Sequence, residues 1–390
     1  MKIRASNTQR SLYLQCGKKY YYRYKKKLRA RDKGSALYFG SAFDAASDVL
    51  FHERNLDKAK EDFSNRWMAQ EGNLNCKFSK TDLDTRLFQP SDISKLEAAA
   101  ANLNDSKPKQ GFDKDGDVIN LVKEIKKLKE NSYVRDLTKE EEHFLHYAHI
   151  LGMLRKGYLM LESFHKNILP HVSSVVSTQA KIDIDNGAGD SIVGYIDLLC
   201  YMEGYKLPNG RVLTKDDLVV ADVKTAGVTF WNKLDEIDRS DQLDVYLVSP
   251  QVQEFSPTNL VCYMAVSKQV SKNETYNCAK CGHPKTGRHK TCDNVIDGDR
   301  CNGDWKGDVE YYCDSKIVIA ERDVQEAQQV LNDYNDVVHG IKQEVFPRNR
   351  EACNAYGSIC EYASVCGKYY PSPEEEEKAL EKWRREKGER

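Results

Sequence analysis

"LVVADVKTAG", residues 218–227, decides how this chain folds. Leu218 to Ala221 form an apolar run of the kind buried on both faces of a sheet. Asp222 and Lys224 then arrive with one valine between them. Side chains alternate along a strand, so both charges lie on one side, about 7 Å apart along the strand. Such a pair has two readings. One is an internal salt bridge, which often fails to repay its desolvation. The other is a site that uses both charges for chemistry.

Strand signals surround this stretch. "VSSVVSTQAKIDID" (172–185) and "SIVGYIDLLCYM" (191–202) alternate with period two, and turn residues at 186–190 and 204–210 separate the three segments. A helix is predicted in "SDQLDVYLVSPQ" (240–251), strands in "LVCYMAVSK" (260–268) and "YYCDSKIVIA" (311–320), and a further helix over 320–345. Upstream, "ALYFGSAFDAASDVLFHE" has helical apolar spacing from near Gly40. Residues 53–170 read as mostly helical, closing with the long periodic run that Pro170 ends, and "KQGFDKDGDV" (109–118) reads as a loop. The final "SPEEEEKALEKWRREKGER" is a charged helix with Ser372 as N-cap and Pro373 in the first position. Its charge predicts a solvated or frayed tail.

Composition narrows the function classes. The 390 residues suit two or three domain-sized units, or one domain with large insertions. With 31% charged residues and a net charge of −1, a nucleic-acid partner would have to be held by a local patch. No run approaches 18 apolar residues, and "MKIRASNTQR" lacks a signal-peptide core. The expectation is a soluble cytoplasmic protein with no membrane partner, in the host cytoplasm if phage-encoded. Twelve cysteines in such a chain point to metal rather than disulfides.

Asp197 ends one strand in "GYID", while Asp222 and Lys224 sit on the next. Gln242 and Tyr246, four apart on a helix, share a face. Two carboxylates on adjacent strands can bind Mg²⁺ or Mn²⁺ through oxygen, and a lysine alongside can orient the attacking water and neutralise transition-state charge. The order Asp197…Asp222-Val223-Lys224…Gln242-x-x-x-Tyr246 resembles the PD-(D/E)XK nucleases of the RecB type, which include the RecB and AddB nuclease domains, the iron–sulfur nucleases of CRISPR adaptation and many phage exonucleases. The resemblance spans the first 50 residues and roughly 175–370.

It implies an α/β restriction-endonuclease-like core, a mixed central sheet flanked by helices, with a helical insertion and a zinc-ribbon insertion. The expected units are 1–52 (first part of the core), 53–170 (helical insertion), 171–275 (catalytic strands), 276–308 (ribbon), 309–370 (last core strand, helix and cysteines) and 371–390 (tail). Asp197 and Asp222 would ligate the metal, with Asp44 a third ligand and the Val223 carbonyl a fourth. Asp44 stands in "FGSAFDAASDVL" where the family carries a histidine. Gln179 occupies a position where many relatives have glutamate, and is not counted as a ligand. Lys224 would assist the water, with Gln242 and Tyr246 positioning it or the DNA. The implied activity is a DNA exonuclease acting on ends or single strands in recombination, repair or phage replication. The alternative is a DNA-binding or assembly subunit that keeps the fold without cleaving. The chain has no GxxxxGK[ST] loop, so unwinding would need a helicase or recombination partner.

Two cysteine groups remain. Cys353, Cys360 and Cys366 lie close in sequence. The resemblance implies that Cys16 joins them in a [4Fe–4S] cluster that clasps the two ends of the core. Their spacing departs from the family's tighter second pair, and zinc at the same thiolates is the alternative. Cys278, Cys281, Cys292 and Cys301 have the spacing of a zinc ribbon, with His283 and His289 as spare ligands. Lys280, Lys285, Arg288, His289 and Lys290 make it basic, a DNA contact or a solvated turn. Cys200, Cys262 and Cys313 read as small buried hydrophobes. Between Lys18 and Lys33, nine Lys or Arg residues and one acid interleave with four tyrosines. Cations neutralise phosphates and tyrosines stack on bases, so Lys18, Lys19 and Arg23 are the expected DNA contacts, with some of the tyrosines in the core.

Overall fold

Leu218–Ala226 is a strand in the middle of the sheet that organises the molecule. The structure, a computed structural model, describes residues 2–28, 35–69, 78, 82–101, 103, 115–130, 136–185, 189–285, 290–296, 299–357, 359–367 and 372–387. The chain begins with β1 (Arg4–Ser6), α1 (Asn7–Gln15) and α2 (Gly17–Tyr20), which runs on as a wider π-helical turn to Lys25. Helices α3 (Ser35–Glu53), α4 (Leu56–Met68), α5 (Pro90–Ala100), α6 (Asp115–Glu130) and α7 (Lys139–Asn167) follow. The sheet is then built by β2 (Val172–Asp185), β3 (Ser191–Met202) and β4 (Leu218–Ala226). Next come the short helices α8 (Val228–Trp231), α9 (Asp241–Leu247) and α10 (Pro250–Gln253), then β5 (Leu260–Cys278). Two-residue strands β6 (Val295–Ile296) and β7 (Asp299–Arg300) precede β8 (Trp305–Glu321). The chain closes with α11 (Val324–Ala327), α12 (Gln329–Lys342) and α13 (Pro373–Lys387).

Among the described residues the main sheet runs β1-β3-β4-β5-β8, with β2 also paired to β3. β1–β3 and β4–β5 are parallel, while β2–β3, β3–β4 and β5–β8 are antiparallel. This is an α/β protein with a mixed central sheet flanked by helices. One edge of β3 is divided: residues 191–193 pair with β1 and residues 198–201 with β4. Residues 194–197 pair with neither, and this fork in the sheet holds the candidate site.

Helices cover both faces. On one, Phe43, Phe63, Met160 and Phe164 from α3, α4 and α7 pack on Leu198, Ala221, Cys262 and Met264. On the other, Tyr13, Leu243, Tyr246, Tyr334 and Val338 from α1, α9 and α12 pack on Ile196, Val220, Val261 and Ala265. Cys200, Cys262 and Cys313 lie inside the first core, as expected of small hydrophobes, and burial pushes the Cys200 and Cys313 thiols up to about 12. A separate smaller core joins α5 and α6 to the first half of α7, through Leu96, Val122, Phe144 and Leu151.

Local sequence explains the ends of the long helices. Thr138 and Glu141 form a capping box that starts α7, satisfying two backbone donors reciprocally. α3 is described from Ser35, earlier than the apolar spacing suggests, and Phe39 in its first turns is buried edge-on against both Phe63 and Trp67. α7 crosses α4 at Gly157, where a Cβ would stand 2.1 Å from Phe63 Cε1. Gly157→Ala is therefore expected to cost about 1–3 kcal/mol through overpacking, despite a gain in helix propensity of about 1 kcal/mol. Urea denaturation checks this, and an unchanged or higher midpoint would refute the close crossing.

Two expectations need correction. The C-terminal helix is not a solvated tail: Leu380 and Trp383 of α13 are buried in a cluster with Tyr22, Leu28, Tyr362 and Val365. Trp383 Nε1 donates to the Glu361 carbonyl at 3.1 Å, and Lys26 pairs with Glu377 at 3.2 Å. Two large apolar residues three apart were enough to dock a helix most of whose other positions are charged. The second correction concerns β5 and β8, which run well past Lys268 and Tyr311. Beyond a two-residue bulge between Val266 and Val270 they continue as an antiparallel arm to the Cys278–Trp305 pair, carrying the cysteine-rich segment at its tip. The arm's polar sequence hid its pairing.

Candidate active site

β3 and β4 stop pairing at Leu198–Ala221, one residue short of Asp197 and Asp222. The strands diverge there, and the Asp197 carboxylate bridges the opening by accepting the Val223 N–H at 3.1 Å. Asp222 is fully buried and Lys224 shares its side of β4, with Nζ 2.5 Å from Asp222 Oδ2. That oxygen lies at ion-pair distance yet receives no aligned hydrogen bond. α9, capped by Ser240, brings Gln242 and Tyr246 over the pair. Gln242 Nε2 donates to Asp222 Oδ1 at 3.2 Å and to the Tyr246 hydroxyl at 2.6 Å, and Lys224 Nζ reaches Gln242 Oε1 at 3.5 Å. Asp44 approaches from α3, its Oδ2 accepting from Gln179 Nε2 at 3.1 Å.

The charges are coupled. Burial, the charge of Asp222 and a proton-sharing contact with it push Asp197 up to about 8. Burial and the same neighbour raise Asp44, and Asp48 adds to the effect. Burial disfavours the Lys224 ammonium, but Asp222 and Asp197 outweigh it and hold Lys224 above its ordinary value. Burial raises Tyr246, which keeps its phenol neutral and able to donate.

This arrangement fits a hard divalent cation in its chemistry: Asp44 and Asp197 repel a buried Asp222 whose Oδ2 has only the Lys224 ammonium against it, and cation binding would relieve that repulsion. The three carboxylates do not converge to within 4.8 Å of one another; among the described residues only the ribbon cysteines do.

A stability test follows from Asp197. Its folded-state value of about 8 lies above the ordinary carboxylate value, so between those limits the folded protein holds a proton that the unfolded chain has lost. The Asp197 contribution is fully present below the unfolded value and falls as pH rises through about 8. In EDTA, the melting temperature relative to Asp197→Asn should therefore drop from pH 5 to 8, and Mn²⁺ should flatten the drop. A difference that rises with pH would refute the coupling.

Sequence reasoning passed over three neighbours. Gln179, dismissed as a ligand, adopts φ +51° and faces the position of Asp197 between the Thr178–Leu198 and Ala180–Ile196 pairs. A left-handed non-glycine residue in a strand is strained, and such strain gathers at functional sites. Asp48 and His52 continue the Asp44 face of α3 at four-residue intervals, and His52 Nε2 lies 3.2 Å from Thr178 Oγ1 and 3.5 Å from Asp48. The i, i+4, i+8 spacing in "DAASDVLFH" was the available signal.

The ribbon cysteines form a compact tetrad. Cys278 and Cys301 sulfurs lie 3.5 Å apart, and those of Cys281 and Cys292 3.6 Å apart. A tetrahedral ion with metal–sulfur distances of about 2.3 Å needs nearly this spacing. Gly282 turns the knuckle at φ +72°, and a Cβ on Gly303 would stand 2.5 Å from Cys278 Sγ, so glycine is required at both. A backbone hydrogen bond from His283 holds the Cys281 thiol down to about 6. Lys285 lies over the Tyr276 and Trp305 rings. Arg288 and His289 lie outside the described residues.

Cys16, Cys353, Cys360 and Cys366 share one neighbourhood without the tetrad's tight convergence. Burial raises the Cys366 thiol, and Cys16, Cys353 and Cys360 act on it electrostatically. The Asn349 N–H donates to Cys16 Sγ at 3.5 Å, and Cys353 Sγ lies 3.9 Å from the Asn349 carbonyl. Lys18 and Arg23 lie over Tyr21 and Tyr24, and Lys19 lies 3.5 Å from Gln15 Oε1. Tyr20 and Tyr22 are core. No helix among the described residues is long and apolar enough to cross a membrane. Comparison with family models, curated proteins and solved structures found no match to this chain.

Proposed function

We propose that the protein is a metal-dependent nuclease of the PD-(D/E)XK, RecB-like type with a restriction-endonuclease-like core, acting as an exonuclease on DNA ends or single strands. The observation that carries this reading is the buried Asp222–Lys224 pair bridged to Gln242 and Tyr246, at a fork that also gathers Asp197 and Asp44. Asp197, Asp222, Asp44 and the Val223 carbonyl would hold Mg²⁺ or Mn²⁺, which when bound supplies Lewis-acid polarisation of the phosphate and a more acidic water. Lys224 places a positive charge where the attacking water and the developing phosphate charge lie. Gln242 fixes the Asp222 carboxylate, and Tyr246 remains protonated as a donor. Recombination, repair or phage replication would supply such substrates, with a helicase or recombination partner for duplex unwinding.

The test is cleavage of end-labelled linear single- and double-stranded DNA with Mn²⁺ or Mg²⁺, by protein purified without oxygen. Binding without cleavage by the parent would instead identify a DNA-binding or assembly subunit. We read the arm's tetrad as structural zinc. The Cys16, Cys353, Cys360 and Cys366 group is read as a [4Fe–4S] clasp or a second zinc site. Elemental analysis should find four irons or one further zinc there, lost in Cys16→Ser together with several degrees of melting temperature. Full retention of metal in that variant would refute the clasp.

A further inference from the structure

Directly after the Asp222–Lys224 strand, the chain turns at Gly227 into α8 and presents apolar side chains to water. Val228 is 49% exposed and Phe230 37% exposed, while Trp231 is partly buried against the second core. Single exposed apolar residues are ordinary. Two within three positions, beside a charged site, are not explained by packing alone.

Phe230 is also held in place. Its ring stands edge-on to Tyr263, with centroids 5.8 Å apart and planes at 70°. Tyr263 is the register partner of Asp222 across β4–β5, and its hydroxyl pairs with Ser240 Oγ at 2.7 Å. Ser240 caps the helix that carries Gln242 and Tyr246. Tyr263 therefore stands between the ring and both Asp222 and the helix cap. A Cβ on Gly227 would meet nothing within 4 Å, so the turn stands clear of the body of the protein.

A rigid, partly bare ring beside a phosphodiester-cleaving centre suits a nucleobase, since every base has a π-face and stacking tolerates any sequence. A base inside a duplex has both faces covered by its neighbours; a base in a single strand or at an end has one to offer. We propose that Phe230, flanked by Val228 and Trp231, is a stacking shelf that positions the unpaired base adjoining the scissile phosphodiester. This deepens the nuclease reading and rests on it. The shelf selects for unpaired or terminal nucleotides over internal duplex positions, and it acts by orienting substrate while the carboxylates and Lys224 act on the phosphate.

The experiment uses the full chain as parent, Phe230→Ala and Phe230→Trp. In EDTA, each is titrated into single-stranded oligonucleotides carrying 2-aminopurine at a terminal or an internal position. The parent should quench the probe at one position, Phe230→Ala should lose that quench, and Phe230→Trp should restore it. With Mn²⁺, Phe230→Ala should raise KM for the oligonucleotide roughly tenfold, about 1.4 kcal/mol of lost binding, with kcat little changed. Cleavage of an oligonucleotide with an abasic residue adjoining the cleaved phosphodiester, which offers no ring there, should be unaffected. No quench by the parent, or quench and KM that survive Phe230→Ala, would overturn the shelf. Equal losses on both oligonucleotides would overturn it too, because they would place the defect in the metal site. A parent that quenches the probe through Phe230 but hydrolyses neither substrate would retain the shelf as a base-binding site and sink the nuclease reading.

Discussion

Lys224→Ala should abolish phosphodiester cleavage, with a loss of about a thousand-fold or more, while single-stranded DNA binding in EDTA changes little. The size follows from the role proposed for the lysine. A fixed charge aimed at the developing phosphate oxygens contributes about 10²–10³-fold, and orienting the attacking water adds to it. Its stability signature separates this role from a structural salt bridge. Asp222 is fully buried, and Lys224 is the cation against its Oδ2. Removing one member of a buried pair strands the other, at a cost of about 3–5 kcal/mol. If the pair is only structural, Lys224→Ala melts early in EDTA and Mn²⁺ does not help. If Asp222 is a metal ligand, Mn²⁺ replaces the lost positive charge and recovers most of the melting temperature, while cleavage stays lost. Lys224→Met, which keeps the stem's packing without the charge, should behave in the same way. Cleavage at parental rates in either variant would remove Lys224 from the mechanism.

The candidate site was legible because its information is local. Strand parity put Asp222 and Lys224 on one side, helical spacing put Gln242 and Tyr246 on one face, and both hold in the structure. CxxC and its two following cysteines converged for a similar reason, since a short hairpin returns them to the knuckle. Features that depend on non-local packing were not legible. Gln179 adopts a left-handed conformation that its residue type does not announce, and the fork at Asp197 exists only because β1 and β4 share an edge of β3. The docking of α13 depends on a hydrophobic socket formed by residues more than 300 positions earlier together with Tyr362 and Val365. The arm is half polar on both faces, so alternation could not reveal it; cross-strand pairing between segments about 30 residues apart maintains it.

Stripping metal from the ribbon should unfold the tip of the arm and leave the core standing. The tip has almost no hydrophobic interior: its cluster is the cysteines themselves with Trp305 packed alongside. So small a core cannot offset the conformational entropy of the segment between Cys278 and Cys301, whereas structural zinc sites bind with about 10–16 kcal/mol at neutral pH. The core, by contrast, rests on two extensive apolar faces that do not involve the tip. Cys292→Ser, or a strong chelator at neutral pH, should therefore remove one equivalent of zinc and make residues 279–304 sensitive to protease, with the main melting transition shifted by only a few degrees. Limited proteolysis with mass mapping, alongside zinc quantification, reads all of this. Collapse of the entire protein on chelation would mean that the arm is part of the core's folding unit, and retention of zinc by Cys292→Ser would mean that the tetrad is not the site.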